Sequence, residues 1–369
     1  MSNRRRSPAA PGAAASAVLL ALALAAAAPA LARAGQQKPA EKKFDKAQTL
    51  EAQALATLVT DVMVGAQAPA DFPIGWQNHY LKARDQRTFV PYVVSIPAGA
   101  LVTPSVATYV RVVKKGGETD TEAAKATPDK AAAAQKAGKP APRAEYAFED
   151  VFFTDLKTPE GKDPYRILRA LSVLPGEYTV YLVVRERPTA EKKPGSGKTS
   201  LIKQAITVPD FWQPGLTTSS IIVADKVDLL TAPTAENQLI EHPYDFGNTR
   251  LIPVPTDHKF SKKEDLSIIF LVYNEETAKD TKKPDVAVEY TFNQKTESGE
   301  KYFNKTNPQN FNAETLPPTF DAAAGYQIPA GQSVPLASFP EGEYRLEIKV
   351  TDKIAGKSIV RNVDFVVTQ

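Results

Sequence analysis

Apolar residues alternate with polar ones in short runs along this chain, and prolines, glycines and charged stretches separate the runs. In LPGEYTVYLVV (174–184), Val180, Leu182 and Val184 share one face. In PEGEYRLEIKV (340–350), Leu346, Ile348 and Val350 do the same, and both runs follow Gly-Glu-Tyr. A period of two predicts half-buried β-strands. Upstream, RTFVPYV (87–93) resembles TRLIPVP (249–255). Pro91 lies 87 residues before Tyr178 and Pro253 lies 91 before Tyr344. Two matches at nearly equal spacing predict a duplicated unit. Between these anchors, VATYVRVV (106–113) takes the place of LSIIFLVY (266–273), and EYAFEDVFF (145–153) that of DVAVEYTF (285–292). SLIKQAITV (200–208) and SIVRNVDFVV (358–367) close the two units.

Five to seven strands in about 130 residues is the strand density of a β-sandwich. The pattern predicts an all-β chain of two tandem immunoglobulin-like antiparallel β-sandwich domains, with sheets packed on one side only. LPGEY resembles the turn that precedes a late strand in fibronectin type III domains. It assigns Tyr178 and Tyr344 to tyrosine corners, with ordinary strand aromatics as the alternative.

Leu50, Ala54, Leu55, Leu58, Val59, Val62 and Met63 form a helical stripe, so residues 45–64 are expected to be a helix packed on the first sandwich. The tail LVTDVMVG has a strand as its alternative. Residues 116–144 are rich in Lys, Ala and Pro and nearly devoid of large apolar side chains, which predicts a mobile insertion. A short exposed helix over Glu122–Lys136 is the competing expectation. The organisation expected is a signal peptide at 1–34, a flexible start and helix at 35–70, sandwich 1 at 71–211 and sandwich 2 at 212–369.

The signal peptide rests on three features. Arg4, Arg5 and Arg6 precede the apolar run 17–28, and two small-x-small cleavage patterns end at Ala32 and Ala34. The apolar run is too short to span a bilayer, and no Phe-Leu-Lys follows the arginines as twin-arginine export requires. Processing removes Arg4, Arg5, Arg6 and Arg33 and no acid, so 45 basic residues become 41 against 42 acidic ones. The basic balance of the whole chain therefore does not argue for nucleic acid. With no cysteine, the chain forms no disulfide. A periplasmic or extracellular location is expected, with no transmembrane span after processing.

Candidate chemistry is sparse. PGSGKTS (194–200) ends like a phosphate-binding loop, but Lys192 stands where its first glycine belongs and a strand pattern follows. AGKS (355–358) holds the same place in the second unit. Both are expected to be tight turns, with glycine supplying positive φ and lysine a solvated tip. His79, His242 and His258 share no ligand spacing, so no metal or other cofactor is expected, although a calcium site built from distant carboxylates stays open. Glu177 and Glu343 recur one per unit, as exposed turn acids. Trp76 and Trp212 are the two tryptophans and the candidate ligand or interface contacts, with packing as the competing role for each.

HPYDFGNTRLIPVPTDHKFSKKEDLSIIFLVYN (242–274) and FPEGEYRLEIKVTDKIAGKSIVRNVDFVV (339–367) resemble the C-terminal β-rich region of secreted bacterial GWxTD-domain proteins. The signature itself is missing, since Gln77 follows Gly75-Trp76. The resemblance implies an exported sandwich protein and brings no catalytic residues. The function expected is a non-enzymatic binding or structural module of the bacterial envelope, with an envelope protein or peptide as partner. A carbohydrate-binding module and an enzyme with an interdomain-cleft site are the alternatives.

Overall fold

The computed structural model describes residues 44–116, 146–159, 161, 163–187, 197–254 and 257–369. The signal peptide, residues 35–43 and all of the insertion 116–144 except Gly116 lie outside the described residues. The rest divides into two compact units. One holds residues up to 211 together with 235–243, and the other holds 212–234 with 244–369.

The first unit opens with helix α1 (Lys46–Met63). Asp45 caps it. Its carboxylate accepts from Gln48 N at 2.7 Å, and the Gln48 side chain accepts from Asp45 N at 3.1 Å. This reciprocal capping box satisfies two backbone donors that an N-terminus otherwise leaves open. The helix continues to Met63, so the strand alternative for its tail does not hold. Eight strands follow: β1 (Gly75–Asn78), β2 (Leu81–Lys82), β3 (Thr88–Ile96), β4 (Ser105–Lys114), β5 (Phe148–Asp155), β6 (Tyr165–Val173), β7 (Gly176–Glu186) and β8 (Thr199–Val208). β1, β2 and β6 all pair with β3 in one sheet, and β5-β4-β7-β8 form the other in that order. Every ladder is antiparallel. In immunoglobulin terms the sheets are A-B-E and C′-C-F-G.

Alternation fills the space between these sheets. Tyr92 and Val94 of β3 meet Val106, Val110 and Val112 of β4 and Val180, Leu182 and Val184 of β7. The outer face of the second sheet is apolar as well. Ala107, Tyr109, Val113, Tyr181, Val183 and Leu201 pack with Leu55 and Val59 of α1. Two polar latches hold the helix there. Arg185 pairs with Glu51 at 3.0 Å, both side chains 12 % exposed or less. Arg111 donates to Glu149 at 3.0 Å and to Thr60 Oγ1 at 2.9 Å, with its guanidinium 4.0 Å from the Tyr146 ring centroid. β4 is thus buried on both sides, and the expectation of one-sided packing fails for it. Leu50 and Ala54, expected in the buried stripe, are exposed.

The second unit contains β9 (Thr217–Thr218), β10 (Ile222–Leu229), β11 (Asp245–Phe246), β12 (Thr249–Pro253), β13 (Lys259–Ser261), β14 (Asp265–Tyr273), β15 (Val286–Thr296), β16 (Gly299–Lys305), β17 (Gln309–Phe311), β18 (Ile328–Pro335), β19 (Gly342–Asp352) and β20 (Lys357–Thr368). One sheet runs β11-β12-β10-β14-β18, with β9 also on β14. The other runs β13-β20-β19-β15-β16, with β17 also on β15. All pairs are antiparallel except β13 with β20. Leu266, Ile268 and Phe270 of β14 face Tyr290 and Phe292 of β15 and Leu346 and Ile348 of β19 across the core. β14 is another two-sided strand, because Ile269, Leu271 and Tyr273 on its opposite face are buried too.

The pairings correct the upstream half of the repeat. β4 sits between β5 and β7, and its partner by position is β15, which lies between β16 and β19. β3 corresponds to β14, since each pairs on one side with the strand before the late hairpin. The stretch 106–113 therefore matches 286–296, and 87–93 matches β14 rather than β12. β12 is an added strand hydrogen-bonded to β10, and it displaces the sequence register by one strand. The downstream match stands in the pairings, with β7–β8 and β19–β20 as equivalent hairpins.

Candidate interaction edge

The two late hairpins carry the residues singled out by the sequence. Tyr178 and Tyr344 lie near the starts of β7 and β19 and are almost fully buried. Each hydroxyl donates at 2.8 Å to the carbonyl four residues upstream, that of Leu174 in one unit and Pro340 in the other. Burial raises the pKa of both phenols above 10.0, with Arg87 opposing the shift at Tyr178. Gly176 and Gly342, two residues before the tyrosines, have φ of 147° and 143°, which lets the chain swing from the turn into the strand.

Thr199 and its neighbours close the first hairpin instead of opening a nucleotide site. Lys198 Nζ donates to Ala100 O at 3.1 Å. Thr199 Oγ1 accepts from Arg185 Nε at 2.9 Å and donates to Gly197 O at 3.1 Å. Lysine is therefore tied to backbone and is no free tip. The glycines differ from each other as well. Gly356 has φ of 65° in the second turn, as expected. Gly197 needs no positive φ, because what excludes a side chain there is the carbonyl oxygen of Glu186, 1.8 Å from where a Cβ would stand. Gly195 lies outside the described residues.

Trp76 on β1 stacks on Tyr92 with ring centroids 4.6 Å apart, and its Nε1 donates to Asn78 Oδ1 at 2.9 Å. It packs against the first core. Trp212, in the second unit, is 42 % exposed. Glu177 is exposed and lies 3.9 Å from Lys115, and Glu343 is exposed on β19. Among the described residues, no group of three or more His, Asp or Glu is placed to hold a metal ion. His79 is buried, and His258 Nδ1 lies 3.2 Å from Asp364 O.

The feature missed by pattern reading is the free side of β8. At its start the chain's own segment 69–72 lies along it. Leu201 N donates to Pro69 O, Asp71 N to Thr199 O, and Thr199 N to the Asp71 carboxylate. Odd-numbered residues thus turn their backbone groups away from β7. The unbroken β7–β8 register carries that alternation to Lys203, Ala205 and Thr207, whose side chains are exposed. Among the described residues, these three outward positions make no backbone hydrogen bond outside the β7–β8 ladder. The Ala205 carbonyl accepts the Gln204 side-chain amide at 3.0 Å. Closing the unit with its last strand, which has no successor to pair with, is the sequence signal that could have located this edge.

No protein-family model matches the chain, and no curated protein matches it. Solved structures with some likeness include an immunoglobulin-like protein from Pseudomonas aeruginosa (9% identity, 40% of this chain and 97% of that one, TM-score 0.20). An elastase-activated alpha-2-macroglobulin from Escherichia coli shares 9% identity over 81% of this chain and 24% of its own, with a TM-score of 0.23. A dimeric latent PorU from Porphyromonas gingivalis shares 10% over 82% and 21%, with a TM-score of 0.28. The chain spans about a quarter or less of the last two proteins. The immunoglobulin-like assignment rests on the strand pairings above.

Proposed function

We propose that this chain is an exported, non-enzymatic binding or structural module that joins another polypeptide by strand addition to β8. The observation that carries the reading is the row of outward backbone groups at Lys203, Ala205 and Thr207. An exposed sheet edge offers main-chain hydrogen bonds to an extended partner. Export is supported by the basic and apolar pattern of residues 1–34 and by the resemblance of 217–369 to secreted GWxTD-domain proteins. Among the described residues, no helix is long and apolar enough to cross a membrane.

A photo-crosslinking residue at position 205, used in the native envelope, tests the reading. A polypeptide adduct is expected at 205 and not at Asn362 on β20. Equal labelling at both positions, or none at 205, overturns it. The exposed ring of Trp212 favours one second reading, a glycan-binding surface. Glycan-array binding lost in Trp212→Ala supports that reading, and an unchanged signal rejects it.

A further inference from the structure

We propose that the occupant of the β8 edge is a second copy of this chain, joined antiparallel across a two-fold axis at Ala205. The two C′-C-F-G sheets then become one continuous sheet. The proposal rests on β8 being a pairing edge, as above, and names its partner.

β8 differs from the other exposed edges in lacking the usual guards. Natural edges are blunted by charge, proline, short length or a covering segment. β16 (GEKYFNK) carries Glu300, Lys301 and Lys305. β18 carries Pro329 and Pro335, and the Gln309 amide covers Gly331 by donating to its carbonyl at 2.6 Å and accepting from its N–H at 3.4 Å. β20 is covered at its end by β13, and Arg361 Nη1 donates to the Val360 carbonyl. The open part of β8, IKQAITV (202–208), has one charge, no proline and no glycine, and is rich in β-formers.

Geometry selects the register. Segment 69–72 already occupies residues 199–201, so a partner strand fits only beyond them. A two-fold axis at Ala205 uses every outward position without entering that stretch. It sets Ala205 against the partner subunit's Ala205, and Lys203 against the partner subunit's Thr207. An axis at Lys203 would oppose two ammonium groups, which destabilises a cross-strand pair. An axis at Gln204 would drive the partner subunit's Thr207 onto Leu201, whose N–H Pro69 already holds. The contact is isologous and closes at a dimer. The Gln204 amide is displaced from the Ala205 carbonyl as the strands join.

The chain from residue 35 onward is expected to sediment as a dimer. Ala205→Pro removes an outward N–H and leaves the β7 ladder intact. Ala205→Lys sets two like charges across the axis. Each is expected to weaken association at least about tenfold with the thermal melt of the fold unchanged. Asn362→Lys leaves the dimer in place. Ala205→Cys supplies the single thiol of a cysteine-free chain. Hydrogen-bonded antiparallel partners lie about 5.5 Å apart at Cα, within disulfide reach, so this variant cross-links on mild oxidation and Asn362→Cys does not. A wild-type chain that stays monomeric at about 100 μM, above the micromolar range of ordinary specific association, overturns the proposal. So does an Ala205→Lys dimer, or an Ala205→Cys chain that fails to cross-link. A monomer that still gives the position-205 adduct sinks this inference alone and leaves strand addition by another polypeptide standing.

Discussion

At the scale of single residues, the two turn glycines look interchangeable in sequence and are not. Gly356 occupies a left-handed conformation in open space, so Gly356→Ala is expected to cost about 1 kcal/mol, the penalty of that backbone region. Gly197 has Glu186 O where a Cβ would go. Gly197→Ala must push two chain segments apart, and its expected cost is about 3 kcal/mol, the upper end for overpacking. Urea unfolding of the two variants ranks them, and equal losses would remove the steric account. Glycine at the turn is legible from sequence. The reason for it is not, because close approach of Glu186 is a tertiary contact between positions whose spacing carries no motif.

Among the elements, α1 depends on two polar latches as much as on its apolar stripe. Only Leu55 and Val59 are fully buried in it. Removing the Glu51 carboxylate leaves the Arg185 guanidinium enclosed with only Thr199 as partner. Breaking such a buried pair costs about 3 kcal/mol. Glu51→Ala is therefore expected to release α1 first, seen as faster hydrogen exchange across 46–63 while the strand core stays protected. Exchange unchanged in α1 would show that its apolar contacts suffice. The helix and the late hairpins are legible because their signals are local: a 3.6 period in one case, Gly-Glu-Tyr before an alternating run in the other. The equivalence of the earlier strands is not local. β4 and β14 are buried on both faces and read as continuous apolar runs, so each resembles the other more than its true counterpart. Only the pairing partners separate them.

For the whole molecule, burial of phenols links stability to alkaline pH. Tyr92, Tyr109, Tyr178, Tyr244, Tyr290 and Tyr344 all have pKa values raised above 10.0, with desolvation the largest cause in each. Above that ordinary value the unfolded chain releases phenolic protons that the folded chain retains. Stability from these groups is fully present below about pH 10 and falls as pH rises toward the folded values. Absorbance titration at the phenolate band is expected to show exposed tyrosines ionising first and the core set later, in step with loss of β-structure by circular dichroism. Smooth ionisation of every tyrosine near pH 10 without unfolding would contradict this.

The stacking of Trp76 on Tyr92 gives the chain a built-in optical reporter. There are two indoles, Trp76 in the first unit and Trp212 in the second. A Trp212→Phe variant emits from the first sandwich alone and a Trp76→Phe variant from the second alone. Fluorescence of the pair during denaturation thus distinguishes two independent foldings from a single cooperative one, with no dye attached.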